Sequence, residues 1–113
     1  MSEREPAARL RRLPIVTVLG REIPVATTLR SRLLGFAHLD REEAGAGLLI
    51  PRCASVHTFG MRFALDVYFL DAAGELLAVR RGIPARRAVS RAGARAVLEV
   101  PAAQGGEFLP PLP

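Results

Sequence analysis

The sequence contains no lysine and no tryptophan, only one cysteine, and no apolar run near the roughly 18 residues that span a bilayer. A single cysteine excludes an internal disulfide, which agrees with a reducing compartment. The start of the chain, MSEREPAARLRRLP, is charged throughout and lacks the apolar core of a signal peptide. These absences predict a cytoplasmic protein that does not bind membranes.

What the chain does contain is enough apolar surface for one folded domain. Half of its 113 residues are apolar, and a chain of this length fits a single domain with one core. We expect a disordered N-terminal tail over residues 1–12, a β-rich domain over 13–103, and a glycine- and proline-rich tail over 104–113. The final LPPLP has the composition of a polyproline-type docking segment, and a disordered chain end is the simpler interpretation.

Short runs rich in β-branched and aromatic residues predict about seven strands. PIVTVLGREIPVA predicts a hairpin that turns at Gly20-Arg21. LDVYFLD and ELLAVRR predict a second hairpin that turns at DAAG, and RAVLEVPA predicts a strand near the end.

TTLRSRLLGFAHLD predicts the one helix, with Thr27 or Thr28 as its N-cap. One helical face would collect the apolar residues Leu29, Leu33, Phe36 and Ala37. The expected fold is therefore mainly β: a compact antiparallel β-sandwich or barrel with one short α-helix at about residues 28–38.

All 16 basic residues are arginine, and six of them fall in the stretch from residue 80 to residue 95, which contains no acid. Such a stretch can hold an anionic group or an acidic partner, and a solvated arginine-rich loop is the alternative. No aromatic residue interleaves with these arginines to stack on bases, so nucleic acid is not an expected partner. The candidate anion-binding residues are Arg80, Arg81, Arg86 and Arg87.

The segment PRCASVHTFGMRFALDVYFLD, residues 51–71, raises the question of a metal site. Cys53, His57 and Met61 are four residues apart, a spacing that separates them by about 13 Å along a flat strand. Metal ligands converge to within about 2.3 Å of the ion, so a continuous strand over residues 53–65 cannot bring these three together. We therefore predict no metal and no cofactor, and we place Met61 and Phe63 in the core.

Two other interpretations of this segment remain open. An enzyme would use Cys53 or His57 as a nucleophilic or acid–base group, with Asp66 orienting the imidazole, if the chain turns at Ala54-Ser55. A purely structural or assembly module would need no reactive group here.

Asp66 lies between Leu65 and Val67, at the start of an apolar strand. A carboxylate in such a place needs backbone N–H groups or an arginine as partner, and Arg62, Arg80 and Arg81 are the nearest arginines by hairpin pairing. The favoured hypothesis is a non-enzymatic module that binds a small ligand or a protein partner. Its candidate site residues are His57, Thr58, Met61 and Asp66.

The motifs RLLGFAHL, GAGLLIPRCASVHTFGMRFALDVYFLD, GELLAV and ARAVLEVPA, in this order, resemble the domain of unknown function 192 family, also called uncharacterised protein family 0127. The resemblance covers residues 25–105 and implies a compact, mainly β domain. It implies no activity, because the family has no established substrate, cofactor or catalytic residues. The matching signature positions are Arg32, Gly35, Gly47, His57, Thr58, Met61, Leu65, Asp66, Phe69, Asp71, Gly74, Leu98 and Glu99.

Two features depart from the family pattern. Ala102-Ala103 stands where the family has Ala-Gly, and EFLPPLP replaces the usual closing strand.

Overall fold

The computed structural model describes residues 6–102. In chain order this part forms α1 (Ala8–Arg11), β1 (Ile15–Val18), β2 (Arg21–Pro24), α2 (Leu29–Leu34), a 3₁₀ helix (Arg41–Glu43), β3 (Leu48–Pro51), β4 (Ser55–His57), β5 (Leu65–Leu70), β6 (Leu76–Ile83), β7 (Ala88–Ser90) and β8 (Ala96–Pro101). The strands pair into three antiparallel sheets, ordered β1-β2, β3-β8-β5-β6 and β4-β7.

The predicted mainly β, antiparallel class is confirmed. Over residues 6–102 the fold has two α-helices instead of one, and its sheets do not close into a barrel. No helix in this range is both long enough and apolar enough to cross a membrane.

The core of the fold is built around the two inner strands of the four-stranded sheet. All six residues of β5 are buried, and so are the last five of β8. The sequences of such strands are nearly continuous apolar runs, because both faces of the strand are covered. One face packs into the larger apolar cluster with Val67 and Val97, and the other packs into the smaller cluster with Tyr68 and Leu98.

Both predicted hairpins are present. The first turns at Leu19-Gly20, one residue earlier than expected, because Val18 pairs with Arg21. Both turn residues have positive φ, which matches the twist of a two-residue hairpin loop. In the second, the Asp71 carboxylate accepts hydrogen bonds from the backbone N–H groups of Ala73 and Glu75, at 2.8 and 2.9 Å, and so stabilises the turn between β5 and β6.

Helix α2 begins where predicted and ends earlier. Thr28 caps it, accepting a hydrogen bond from the Ser31 N–H at 3.0 Å. Gly35 stops the helix with φ of +50° and ψ of −125°, a conformation that glycine adopts at little cost. The predicted helical face is therefore wrong: Leu33 is 64% exposed, and Phe36 is buried from the loop that follows the helix.

The ordered structure begins earlier than the predicted domain start at residue 13. Helix α1 lies within residues 1–12, and its Leu10 is only 1% exposed. The Arg9 guanidinium donates to the carbonyls of Gly35 and Ala37 at 2.9 and 2.8 Å, which fastens α1 against the end of α2. The predicted tail over residues 104–113 lies outside the described residues.

The expected continuous strand over residues 53–65 is wrong. Before β5 begins at Leu65, only Ser55–His57 is a paired strand, and Gly60 with φ of +81° turns the chain. A continuous strand would place Phe59 and Met61 on one face, but Phe59 is 55% exposed whereas Met61 is buried. Met61 is buried in the larger cluster, as predicted, and Phe63 packs against that cluster while partly buried.

Thr58 joins this turning segment to the loop between β6 and β7. Its side chain is fully buried; the hydroxyl donates to the Pro84 carbonyl at 2.6 Å and accepts from the Arg87 N–H at 2.9 Å. The connection that carries Met61 is thereby held against the neighbouring loop.

We predict that Thr58→Val lowers the free energy of unfolding by about 1–2 kcal/mol, because valine keeps the shape but removes the hydroxyl that bonds to the partly buried Pro84 carbonyl and Arg87 N–H. Urea unfolding would measure the loss. The control is Thr17→Val, a change at an exposed position of β1. Equal stability of the two variants would contradict the role given to the Thr58 hydroxyl.

Candidate functional site

A cavity of about 170 Å³ lies where the end of α2 meets β3, β4 and β8. We call it the Glu99 cavity. Apolar and polar side chains contribute to its wall in similar numbers. The apolar side chains are Leu33, Leu34, Phe36, Ile50, Val56 and Met61, and the polar ones are Arg32, Cys53, Ser55, His57 and Glu99.

Glu99 is the unusual member of this lining. Its side chain lies on the same face of β8 as Val97, since side chains alternate along a strand, and that face belongs to the larger apolar cluster. The residue is only 3% exposed. Neither carboxyl oxygen has a hydrogen bond or ion pair in the part of the chain that the structure describes, and Oε1 is completely enclosed.

Burial without a partner raises the pKa of Glu99 from 4.5 to about 7, because the apolar surroundings disfavour the charged form. Near neutral pH this carboxyl group is therefore protonated far more often than an exposed glutamate. A buried polar group that finds no protein partner is rare in native structures.

Gly35 makes room for this carboxyl group. A Cβ added at Gly35 would lie 2.9 Å from the Glu99 Oε1, closer than side-chain carbons approach other atoms. The same glycine also supplies the positive φ that ends α2. One residue thus terminates the helix and leaves the space that the Glu99 side chain needs.

His57 lies at the mouth of the cavity with its ring orientation set by a backbone contact. Its Nδ1 accepts a hydrogen bond from the Phe59 N–H at 3.2 Å, so the neutral imidazole carries its proton on Nε2. The His57 and Phe59 rings pack with their centroids 5.5 Å apart. The exposed Leu33 lines the cavity as well.

Two further polar side chains are already engaged by the backbone. The Cys53 thiol donates to the Ser55 carbonyl at 3.0 Å. The Arg32 guanidinium donates to the Pro51 carbonyl and, at 3.2 Å, to the Arg52 carbonyl. No hydrogen bond joins Cys53 to His57 within residues 6–102, although both line the cavity.

Metal binding finds no support in the geometry. Among the described residues there is no group of three or more His, Cys, Asp or Glu side chains placed to hold an ion.

Asp66 has the partners that its position in the sequence predicts. It is 3% exposed; its Oδ1 accepts from the Gly82 N–H at 2.8 Å, and its Oδ2 lies 3.7 Å from Arg81 Nη1. The Arg81 guanidinium also covers the Tyr68 ring at 5.9 Å. These contacts lie on the face of β5 opposite the Glu99 cavity.

The four candidate ligand-binding residues are thus divided. His57 and Met61 line the cavity, whereas Thr58 and Asp66 lie elsewhere with their polar atoms bonded to the backbone. Glu99 lines the cavity but was not among the residues predicted from the sequence to bind a ligand. The signal was present, because Glu99 stands between Leu98 and Val100 in an apolar strand, as Asp66 does between Leu65 and Val67.

The four candidate anion-binding arginines lie on β6 and the loop after it. Arg80, Arg81, Arg86 and Arg87 are all exposed, and Arg81 faces Asp66. Anion binding by this group stays a prediction.

The comparisons with known proteins identify a family and a fold. The sequence matches the family DUF192, described as uncharacterized ACR, over residues 16–107. The chain therefore belongs to that family, as its motifs indicate. No curated protein matches the chain.

Its fold is similar to the crystal structure of a protein of unknown function from Novosphingobium aromaticivorans DSM 12444. The TM-score is 0.56 at 20% sequence identity, and the match covers 78% of this chain and 71% of that one.

We predict that Glu99→Gln stabilises the protein at high pH and not at low pH. The folded state binds the Glu99 proton more tightly than the unfolded chain does between pH 4.5 and about 7, so wild-type stability falls as pH rises through that interval. Glutamine stays neutral, so the variant should gain about 3 kcal/mol over wild type by about pH 8 and almost nothing at about pH 4, below the pKa of the unfolded chain.

Urea unfolding across this pH range would measure the difference. The exposed Glu75→Gln is the matched control, with a difference from wild type that changes little with pH. A pH-independent difference for Glu99→Gln would contradict the raised pKa.

Proposed function

We propose that this member of the DUF192 family is a small-ligand-binding domain and that the Glu99 cavity holds the ligand. The observation that carries the proposal is the Glu99 carboxyl group, which lines the cavity, is buried, and has no partner among the described residues. Burying such a group costs free energy unless something bonds to it. A ligand that donates a hydrogen bond to Glu99 would recover that cost.

The cavity also limits the size of the ligand. An engineered apolar cavity of about 150 Å³ holds one benzene molecule, so a volume of about 170 Å³ accommodates one compact ring or a short branched chain. The wall formed by Phe36, Ile50, Val56 and Met61 favours an apolar body. The ligand class is therefore a compact apolar group that carries one N–H or O–H donor, with an ammonium group as the strongest donor.

The rim supports entry from the His57 side. The exposed Leu33 lines the cavity, and the exposed Phe59 packs against the His57 ring that lines it. Exposed apolar surface around a concave site is typical of binding surfaces. His57 Nε2–H adds one donor at the rim, because its Nδ1 is occupied by the Phe59 N–H.

In this proposal the domain binds its ligand and does not catalyse a reaction on it. A Cys–His nucleophile needs the two side chains hydrogen-bonded to each other, whereas here the thiol donates to the Ser55 carbonyl and the imidazole accepts from Phe59. Asp66 does not orient His57, since its carboxylate bonds to Gly82 and faces Arg81.

Methionine methyl NMR gives a direct test, because the chain has two methionines and one of them, Met61, lines the cavity. Met61→Leu would assign the signal. At a pH above 7, where Glu99 is mostly ionised, we expect benzylamine to shift the Met61 methyl signal saturably. Benzyl alcohol should bind with lower affinity than benzylamine, and toluene with the lowest affinity of the three. Benzoate should not bind, because two carboxylates would be buried together.

Glu99→Gln should weaken benzylamine binding by about tenfold, the value of one charge-assisted hydrogen bond, and leave toluene unchanged. Glu75→Gln removes the same charge from an exposed position and should have no such effect. If no probe shifts the Met61 signal, the cavity is not a binding site. If benzylamine binds equally well to both variants, Glu99 does not select the ligand.

A further inference from the structure

A second concave surface lies on the other side of Gly35, between α1 and α2. It encloses about 540 Å³, and we call it the arginine groove because Arg9, Arg12 and Arg30 all line it. Arg9 and Arg12 belong to α1 and its C-cap, whereas Arg30 belongs to α2, so folding brings two distant segments together here. No acidic residue belongs to the lining of the groove, which is completed by alanine, leucine, threonine, serine and glycine.

The position of Arg9 shows that like charges are crowded here. Its guanidinium is fixed by the carbonyls of Gly35 and Ala37, so it cannot swing away from the groove. Burial and the nearby Arg30 lower the pKa of Arg9, and Glu43 offsets part of this effect. A bound anion would relieve the repulsion that remains.

Arg12 and Arg30 are available for such an anion. Both are exposed, and neither guanidinium has a hydrogen bond or ion pair within residues 6–102. Guanidinium groups present several donors in a fixed plane and match the oxygens of phosphate and sulfate. The floor of the groove includes Leu10 and Leu13, whose side chains are buried.

We propose that the arginine groove binds the tetrahedral oxyanion of a phosphorylated or sulfated small molecule. Arg12 and Arg30 contact the oxyanion from the two sides of the groove, and Arg9 supplies a fixed positive charge at its base. The volume exceeds that of one phosphate group, so the groove also takes part of the group to which the oxyanion is attached. This site is separate from the Glu99 cavity and does not depend on the function proposed for it.

The test is a titration of the full chain with inorganic phosphate at constant ionic strength, followed by backbone amide NMR. We expect saturable shifts of amides in α1 and at the start of α2. Arg12→Gln/Arg30→Gln should weaken the affinity by at least about tenfold. Arg52→Gln/Arg95→Gln is the matched control, because it removes two charges from exposed arginines that belong neither to the groove nor to the candidate group on β6 and the loop after it; it should change the affinity less than about twofold, as expected for screened charges.

Comparing the two double variants distinguishes specific phosphate binding in the groove from nonspecific electrostatic attraction. Equal weakening by the two double variants would mean that phosphate responds only to net charge, and it would overturn the proposal. The proposal would also be overturned if the amide shifts were confined to β6 and the loop after it, or if they did not saturate with phosphate. If Arg12→Gln/Arg30→Gln does not fold, the single variants replace it, each expected to weaken binding several-fold, and unchanged affinity in both would overturn the proposal.

Discussion

The rest of the structure depends on the burial of β5 and β8 on both faces. Covering both faces of a strand leaves no place where a charged side chain meets water, yet each of these strands carries one acid, Asp66 on one face and Glu99 on the other. The two acids meet this constraint in opposite ways. Asp66 is satisfied by the Gly82 N–H and by Arg81, whereas Glu99 faces a cavity and has no partner among the described residues.

Gly35 connects the features that this constraint produces. It ends α2, leaves room for the Glu99 carboxyl group, and presents the carbonyl that holds Arg9. Both the Glu99 cavity and the arginine groove are lined by this residue. A side chain at this position would therefore disturb the helix end, the cavity and the packing of α1 together, which gives a physical reason for a glycine in the RLLGF motif.

The fold class and the partners of Asp66 could be predicted because they follow from local pattern. Apolar runs indicate buried strands, and an acid inside such a run requires a donor nearby. The site could not be predicted in the same way. The cavity brings together α2, β3, β4 and β8, which are distant in sequence. The pattern of residues 53–65 also predicted one continuous strand, whereas the chain turns at Gly60 and Thr58 is bonded to the loop between β6 and β7. The same rule that found Asp66 applies to Glu99, but the sequence does not reveal which of the two acids finds a partner.

The raised pKa of Glu99 has a consequence for the energetics of any ligand that bonds to the carboxylate. Below its raised pKa of about 7, Glu99 carries a proton inside the cavity. A cationic ligand must displace that proton, so its uptake exchanges one positive charge for another. The released proton is taken up by the buffer, and the measured heat of binding therefore depends on the ionisation enthalpy of that buffer. For such a ligand, occupancy of the cavity would therefore rise with pH through the range in which Glu99 ionises.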